Sequence, residues 1–573
     1  MCRGCGSDGI VLHAVQIEDV SPGGLLRRRA EKNLRRLHDA EFHFAATIRA
    51  STGREAPGDW VGRALLGLTL YARLFRTVPP HLEEFVARIP EAFNARGYVG
   101  EIHPAGTADE NQIGGHNALL RGLSEYYLWR GDERALAAMR SVIGNLMLPS
   151  RPLYAEYPDK ILKGMLDGRP VGLTVRQAKG VWRGLSTDIG TVFFTLDGLT
   201  QAYLCERTPE LRALIETMIA RYTEIDPVAM SAQTHATLTT LRGIFRWWRE
   251  VDPRPELLAL VRDRFQRYRD LAQTEHHANY NWFGRPDWTE TCAIVDSLQL
   301  ATQLWSATGD AELIEEAHRI FYNGFLHAQR PKGGFGCDEC VGARGERFLA
   351  PHKIFEAPWC CSMRAAEGFA SLAVDGWWHN GSDTVVLLYY FGGTARVHLA
   401  EGDVEFEQVS GYPFAGRVTL RVTRGRSLAP VTLRFFAPSW SPPESFRLTH
   451  NGRRLPVTRE PRFAAVRTPL VPGNVIEAHF AVTFGPIALQ SPARQRGERR
   501  YAHGPLLLGA EARDRGAAPM ALADGEEFTA LGEARYRCVR TGRELAPLPA
   551  LADLSEAEAR AQRVQVVFPR VAP

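Results

Sequence analysis

The stretch ALLRGLSEYYLWRGDERALAAMRSVI, residues 118–143, decides the fold. Apolar residues recur three and four apart on both sides of Gly131-Asp132, so two amphipathic helices meet at a short polar break, the mark of a helical hairpin. The arrangement returns in TLDGLTQAYLCERTPELRALIETMI (195–219), TLRGIFRWWREVDPRPELLALVRDRF (240–265) and IVDSLQLATQLWSATGDAELIEEAHRIF (294–321). Unequal spacing between the breaks excludes a strict solenoid, yet each hairpin needs neighbours to bury its faces. Stacked in sequence they give an open superhelix or a closed α/α toroid. The toroid is expected, because the long loops 144–187 and 273–289 would gather at one end and build a pocket.

After about residue 380 the period changes from helical to alternating. DTVVLLYYF, ARVHLA, VEFEQV, RVTLRV, VTLRFFAP, FRLTHNG and VIEAHFAV are short, rich in Val, Thr, Phe and Tyr, and separated by turn residues. Asn451-Gly452 is a hairpin turn signal, since both residues tolerate positive φ. The pattern predicts an antiparallel β-sandwich, and the tail from about 511 adds strands such as RVQVVF. The expected class is multidomain α and β: an N-terminal segment 1–24, an α/α toroid of helical hairpins over 25–380, and an antiparallel β-sandwich over 381–573.

The bulk numbers exclude several function classes. At 573 residues the chain exceeds the size at which single cores stop growing, so more than one domain is expected. A net charge of +4, with arginine-rich patches only at 25–36 and 493–500, demands no nucleic-acid partner. No apolar run is long enough for a membrane helix. MCRGCGSDGIVLHAV lacks a basic segment followed by an apolar one, so no secretory signal is read and a cytoplasmic setting is expected. The nine cysteines, an odd number in such a chain, argue for thiols, some of them metal-bound, over a disulfide framework.

Two pairs carry the chemistry. Glu290-Thr291-Cys292 in DWTETCAIVDS and Cys360-Cys361 in APWCCSMRAAEG each stand at the start of a helix. A carboxylate and a thiolate two residues apart on an extended segment chelate one ion. With the adjacent cysteines they make Glu plus three Cys, donors suited to tetrahedral Zn²⁺, and a helix N-terminus favours thiolates further. Cys337-Asp338-Glu339-Cys340 in GGFGCDEC offers an alternative, a four-cysteine structural zinc site with Cys360 and Cys361; reduced buried thiols without metal are the third reading. Cys2 and Cys5 have no matching second pair.

His116 in ENQIGGHNALL and His235 in SAQTHATLTT each begin a helix of the repeat, where a histidine faces the toroid's mouth or serves as a capped, buried group. The segment TEHHANYNWFGRPDW carries Glu275, Asn281, Trp282 and Trp288 toward Glu290 and has the composition of a sugar-contact loop. Most other aromatics are read as core.

E-T-C-A opening one helix, C-C before another 68 residues later, and a following β-region with VEFEQVSGYPFAGRVTLRV, THNGRRL and RRYAHGPLLLG together resemble the β-L-arabinofuranosidase family, glycoside hydrolase family 127. The resemblance covers roughly residues 40–510. It implies a zinc bound by Glu290, Cys292, Cys360 and Cys361, with Cys360 the nucleophile of a retaining mechanism. It matches His116 and His235 to the family's sugar-contacting histidines. A second carboxyl must act as acid and base. Glu275 fits that role by its distance from E-T-C-A, whereas the pattern NWFG places Asn281 there and leaves the role to another group such as Asp287. Ser362-Met363-Arg364 stands where the family usually has Pro-Pro-Asn. The expected partners are a carbohydrate substrate, no nucleic acid, no membrane, and at most a second copy of the chain in a homodimer. The rival expectations are a carboxylate-only glycosidase or lyase on the same scaffold, and a non-catalytic carbohydrate-binding protein with a structural zinc.

Overall fold

Six helices are buried nearly all round, which decides where they go. Asp59–Phe75, Glu110–Arg130, Thr191–Cys205, Thr234–Glu250, Thr291–Thr308 and Met363–Asp375 bury most of their residues, polar ones included. A helix without a solvent face belongs inside. In the computed structural model each touches the next and the last returns to the first, so they close into an inner ring. The amphipathic helices Gly24–Leu37, Glu133–Val142, Pro209–Glu224, Pro255–Ala272 and Glu312–Arg319 cover the ring from outside. The expected α/α toroid is the fold observed. The structure describes residues 4–5, 11–51, 56–161, 174–175, 180–186, 188–342, 345–349, 355–490, 497–512, 518–549 and 563–571; Cys2 lies outside them.

Glycine sets the tightness of the ring. A Cβ on Gly62 would lie 2.0 Å from Leu119 N, and one on Gly243 would lie 2.6 Å from Asp197 N, so neighbouring inner helices touch backbone to backbone. Charge fills the axis. Arg121, Arg242, Arg246 and Arg364 interlock with Asp197, Asp296 and Glu367. Burial alone would raise the Asp197 carboxyl; Arg121, Arg242 and Arg246 overcome it and hold the group below the usual carboxylate range.

The β-region divides further than expected. One sheet runs through Val11–Ala14, Trp377–His379, Thr384–Leu387, Ser427–Phe436 and Phe463–Leu470. A second runs through Arg447–His450, Val475–Phe480, Gly416–Arg424, Gly402–Ser410, Gly393–Leu399 and Val20–Pro22. The Asn451-Gly452 turn closes its hairpin with φ of 50° and 77°. Residues 11–22, part of the segment 1–24 expected to stand apart, thus give a strand to each sheet. The strands after residue 483 do not join this pair of sheets. Phe484–Ile487, Arg500–His503, Leu506–Ala512 and later strands form a sheet of their own, reached by Phe348–Leu349 from the toroid. A separate small core of Val341, Leu349, Leu507, Val564 and Val566 explains the split. Strand periodicity reports exposure along one strand and says nothing of which sheet it joins. Among the described residues no helix is long and apolar enough to cross a membrane.

Candidate active site and metal centre

The N-terminal turns of the inner helices converge at one end of the ring, and the two donor pairs stand there. Glu290 is the extended residue just before Thr291–Thr308, and Cys292 is the second residue of that helix. Cys360 and Cys361 occupy a turn of π-helix, Pro358–Ser362, that feeds Met363–Asp375. One donor atom from each of Glu290, Cys292, Cys360 and Cys361 lies within 4.8 Å of every other. Cys292 Sγ is 3.2 Å from Cys360 Sγ and 4.0 Å from Cys361 Sγ, and Cys360 Sγ is 3.8 Å from Glu290 Oε1. One carboxylate and three thiols, packed this closely at helix N-termini, fit a tetrahedral ion such as Zn²⁺.

Each donor is aimed by its neighbours. Gln233 donates to Glu290 Oε2 at 3.3 Å, and Asn279 accepts from Glu290 N at 2.9 Å. With its amide turned to satisfy both neighbours, Asn281 donates to Glu290 Oε2 at 2.6 Å and accepts from Trp288 Nε1 at 3.1 Å. His235 bridges two carboxylates, Nδ1 3.4 Å from Glu290 Oε1 and Nε2 3.5 Å from Asp296 Oδ2, and stacks on Phe194. Burial works against its charge, and Glu290 and Asp296 outweigh burial and raise its pKa. Arg63 donates to Cys292 Sγ at 3.2 Å while pairing with Asp59 at 2.7 Å.

The three thiols are not equivalent. Hydrogen bonds from Cys292 and Cys361 hold Cys360 well below the ordinary thiol range, with Arg63 and His235 adding to the effect. Burial drives Cys292 the other way. Cys360 is also the sulfur of the three that is partly exposed; Cys292 and Cys361 are buried. Beside it Trp359 stacks on Trp60, ring centroids 5.3 Å apart, both half-buried.

The GGFGCDEC segment braces the two pairs. Thr291 Oγ1 donates to Gly336 O, and Phe335 bonds both Ala357 N and the Ser362 hydroxyl. Cys337 stands beside Cys361, close enough for the two thiols to shift each other's titration. Cys340 instead contacts Asn279 O at 3.7 Å, so the four-cysteine arrangement with Cys337 and Cys340 is not the one assembled.

The model of the β-L-arabinofuranosidase GH127 catalytic domain matches residues 261–374, and that of the GH127 middle domain matches residues 384–482. The chain is a family 127-like glycoside hydrolase. Solved structures similar to it include a GH127 β-arabinofuranosidase, at TM-score 0.70 and 14% identity over 98% of each chain. Another is a GH127 β-L-arabinofuranosidase from Geobacillus stearothermophilus T6, at TM-score 0.68 and 13% identity over 96% of this chain and 100% of that one. At such identities the likeness concerns the fold. No curated protein sequence matches the chain.

Two residues expected in the site, Glu275 and His116, bond to groups outside the donor cluster. Glu275 is fully buried, accepts from Gln490 N at 2.7 Å and lies 3.4 Å from Arg500 Nε, facing the third sheet. His116 is also fully buried: Nδ1 bonds Gln112 O at 2.7 Å and Nε2 accepts from Val99 N at 3.1 Å, so both ring nitrogens serve the backbone. Asn281, Trp282 and His235 do border Glu290 or its neighbours. Asp287 pairs with Arg285 on the exposed part of the loop. Arg63 and Asp59 went unread, though two opposite charges four residues apart inside an apolar helix were a visible signal.

Proposed function

We propose that the chain hydrolyses a glycosidic bond with retention of configuration, taking a β-L-arabinofuranoside or a stereochemically similar sugar. In this reading Cys360 is the nucleophile, and Glu290, Cys292, Cys360 and Cys361 hold Zn²⁺. The observation that carries it is the convergence of those four donors around the one sulfur that is both partly exposed and held low in pKa.

Zinc, when bound, keeps its thiols deprotonated at neutral pH and fixes their direction. The chain's own groups do the rest. Asn281, Gln233 and the backbone bond to Asn279 fix Glu290, and Arg63 holds Cys292. Cys360 is left directed at the mouth, where its thiolate attacks the anomeric carbon, forming an S–C bond as the glycosidic C–O bond breaks. Water then displaces the sulfur from the opposite face, and two inversions give retention. The Trp60–Trp359 pair beside Cys360 offers an aromatic face to a sugar ring.

Metal analysis combined with hydrolysis of a panel of nitrophenyl glycosides, with and without chelator, tests the reading. One zinc per chain and loss of turnover on chelation are expected. Cys360→Ala should lose on the order of 10³-fold or more in kcat. Full activity in that variant would instead support carboxylate-only chemistry.

A further inference from the structure

A retaining mechanism needs a carboxyl that protonates the departing oxygen and later takes a proton from water. Most carboxyls near the thiols are committed elsewhere. Glu290 belongs to the donor group. Asp59 is paired with Arg63, Glu275 with Arg500, and Asp296 with Arg242 and Arg364. Asp287 is exposed beside Arg285. Asn281, which touches Glu290, carries an amide that cannot relay the proton.

Asp188 differs from all of these. It stands on the loop between the strand Trp182–Ser186 and the inner helix Thr191–Cys205, at the same end of the ring as the thiols. Trp282 Nε1 donates to its Oδ1 at 3.0 Å. Among the described residues no guanidinium or ammonium lies at ion-pair distance from it. The loop is stitched to the site, since Gln233 N donates to Ile189 O at 3.1 Å and the Gln233 side chain donates to Glu290. It is also braced from behind. Glu110, fully buried, accepts from Ser186 N and from the Tyr157 hydroxyl, both at 2.8 Å, and Tyr157 in turn accepts from Gly190 N at 3.0 Å. This is the construction of a held side chain.

We propose that Asp188 is the general acid and base of this active site, an assignment that rests on Cys360 being the nucleophile. In the first step the Asp188 carboxylic acid gives its proton to the glycosidic oxygen as the C–O bond breaks and the Cys360 S–C bond forms. In the second its carboxylate takes a proton from water as the water oxygen bonds the anomeric carbon and the thiolate departs. The charged groups around it are Glu290, His235 and Arg285. Burial first, and Glu290 second, push its carboxyl up to about 7, against the Trp282 bond, His235 and Arg285, so near neutral pH part of the enzyme holds the proton.

The test compares wild type, Asp188→Asn and Cys360→Ala on methyl and 2,4-dinitrophenyl β-L-arabinofuranosides, with and without azide, alongside thermal melts. For Asp188→Asn, hydrolysis of the methyl glycoside should fall about 10²–10⁴-fold. The dinitrophenyl glycoside, whose leaving group needs no proton, should show a burst followed by slow turnover and a lowered KM. Azide should accelerate that turnover and yield a glycosyl azide of retained configuration. Equal loss on both substrates without azide rescue, or unchanged kinetics, overturns the assignment. If Cys360→Ala is then inactive, the thiolate reading stands alone. Hydrolysis of neither substrate by wild type would overturn both readings.

Discussion

Arg63 joins the metal donors to a buried ion pair, and two variants separate these roles. Its Nη1 lies 3.2 Å from Cys292 Sγ and its Nε 2.7 Å from Asp59 Oδ2, with Arg63 and Asp59 only 7% and 5% exposed. Among the described residues Asp59 Oδ1 already has no hydrogen-bond partner. Arg63→Met therefore leaves a buried carboxyl without its cation, and breaking such a pair from one side costs about 3–5 kcal/mol. Asp59→Asn/Arg63→Met removes the orphaned charge as well, and most of that loss should return. Metal affinity should behave differently. In the proposed zinc site three thiolates and one carboxylate would carry four negative charges against the two positive charges of zinc, and Arg63 donates to one of the sulfurs. Losing its charge and its N–H···S bond should weaken zinc about 10–100-fold in the single and the double variant alike. Chelator competition reads the affinity, and denaturant midpoints read the stability. Wild-type zinc affinity in the double variant would show that Arg63 serves Asp59 alone. Equal stability of the two variants would refute the buried-pair argument.

Two further perturbations test the surroundings. Burial holds His116 at a pKa of about 4 in the folded state, with the bond to Gln112 opposing, against about 6.5 when unfolded. Between those values the unfolded chain binds the proton more readily, so stability falls as pH drops through that window, by at most about 3 kcal/mol. His116→Gln should flatten the pH dependence of the denaturant midpoint between 7 and 4, and an unchanged slope would contradict the assignment. Cys337→Ala, next to Cys361 but outside the donor group, should keep one zinc per chain, whereas Cys361→Ala should lose it. Metal loss in Cys337→Ala would put Cys337 among the ligands.

The toroid was legible because hairpin periodicity survives in every repeat, and the donor set because few residue types bind zinc and both pairs precede a helix. What escaped was depth and direction. His116 and His235 share one sequence cue, yet His235 is the second residue of its helix and His116 the seventh of its own. At about 1.5 Å per residue this puts His116 about 7 Å further from its helix end, inside the core. Glu275 is drawn toward the third sheet for a related reason: chain distance to E-T-C-A is not distance in space. The chain turns at His277, whose φ is 60°, and His277 and Glu275 both bond to Arg500 of the third sheet, while Asn281 comes to Glu290. The third sheet left no cue of its own.

The substitution at 362–364 acts on the floor of the site and leaves the donors alone. Ser362 ties the cysteine turn to Phe335, and Arg364 enters the axis to pair with Asp296 and Glu367. Asp296 in turn faces His235, which faces Glu290, so one polar chain runs from the metal donors into the axial charges. Beneath the thiols, Arg63, Arg121, His235, Met363 and Arg364 line a cavity of about 10 Å³, room for about one water. A sugar ring does not fit in that space. In the proposed reading the ring binds above it, where Cys360, Trp359 and Asp188 are partly exposed. Met363 and Arg364 thus close the space beneath the four donors, while Ser362 holds the turn that carries two of them.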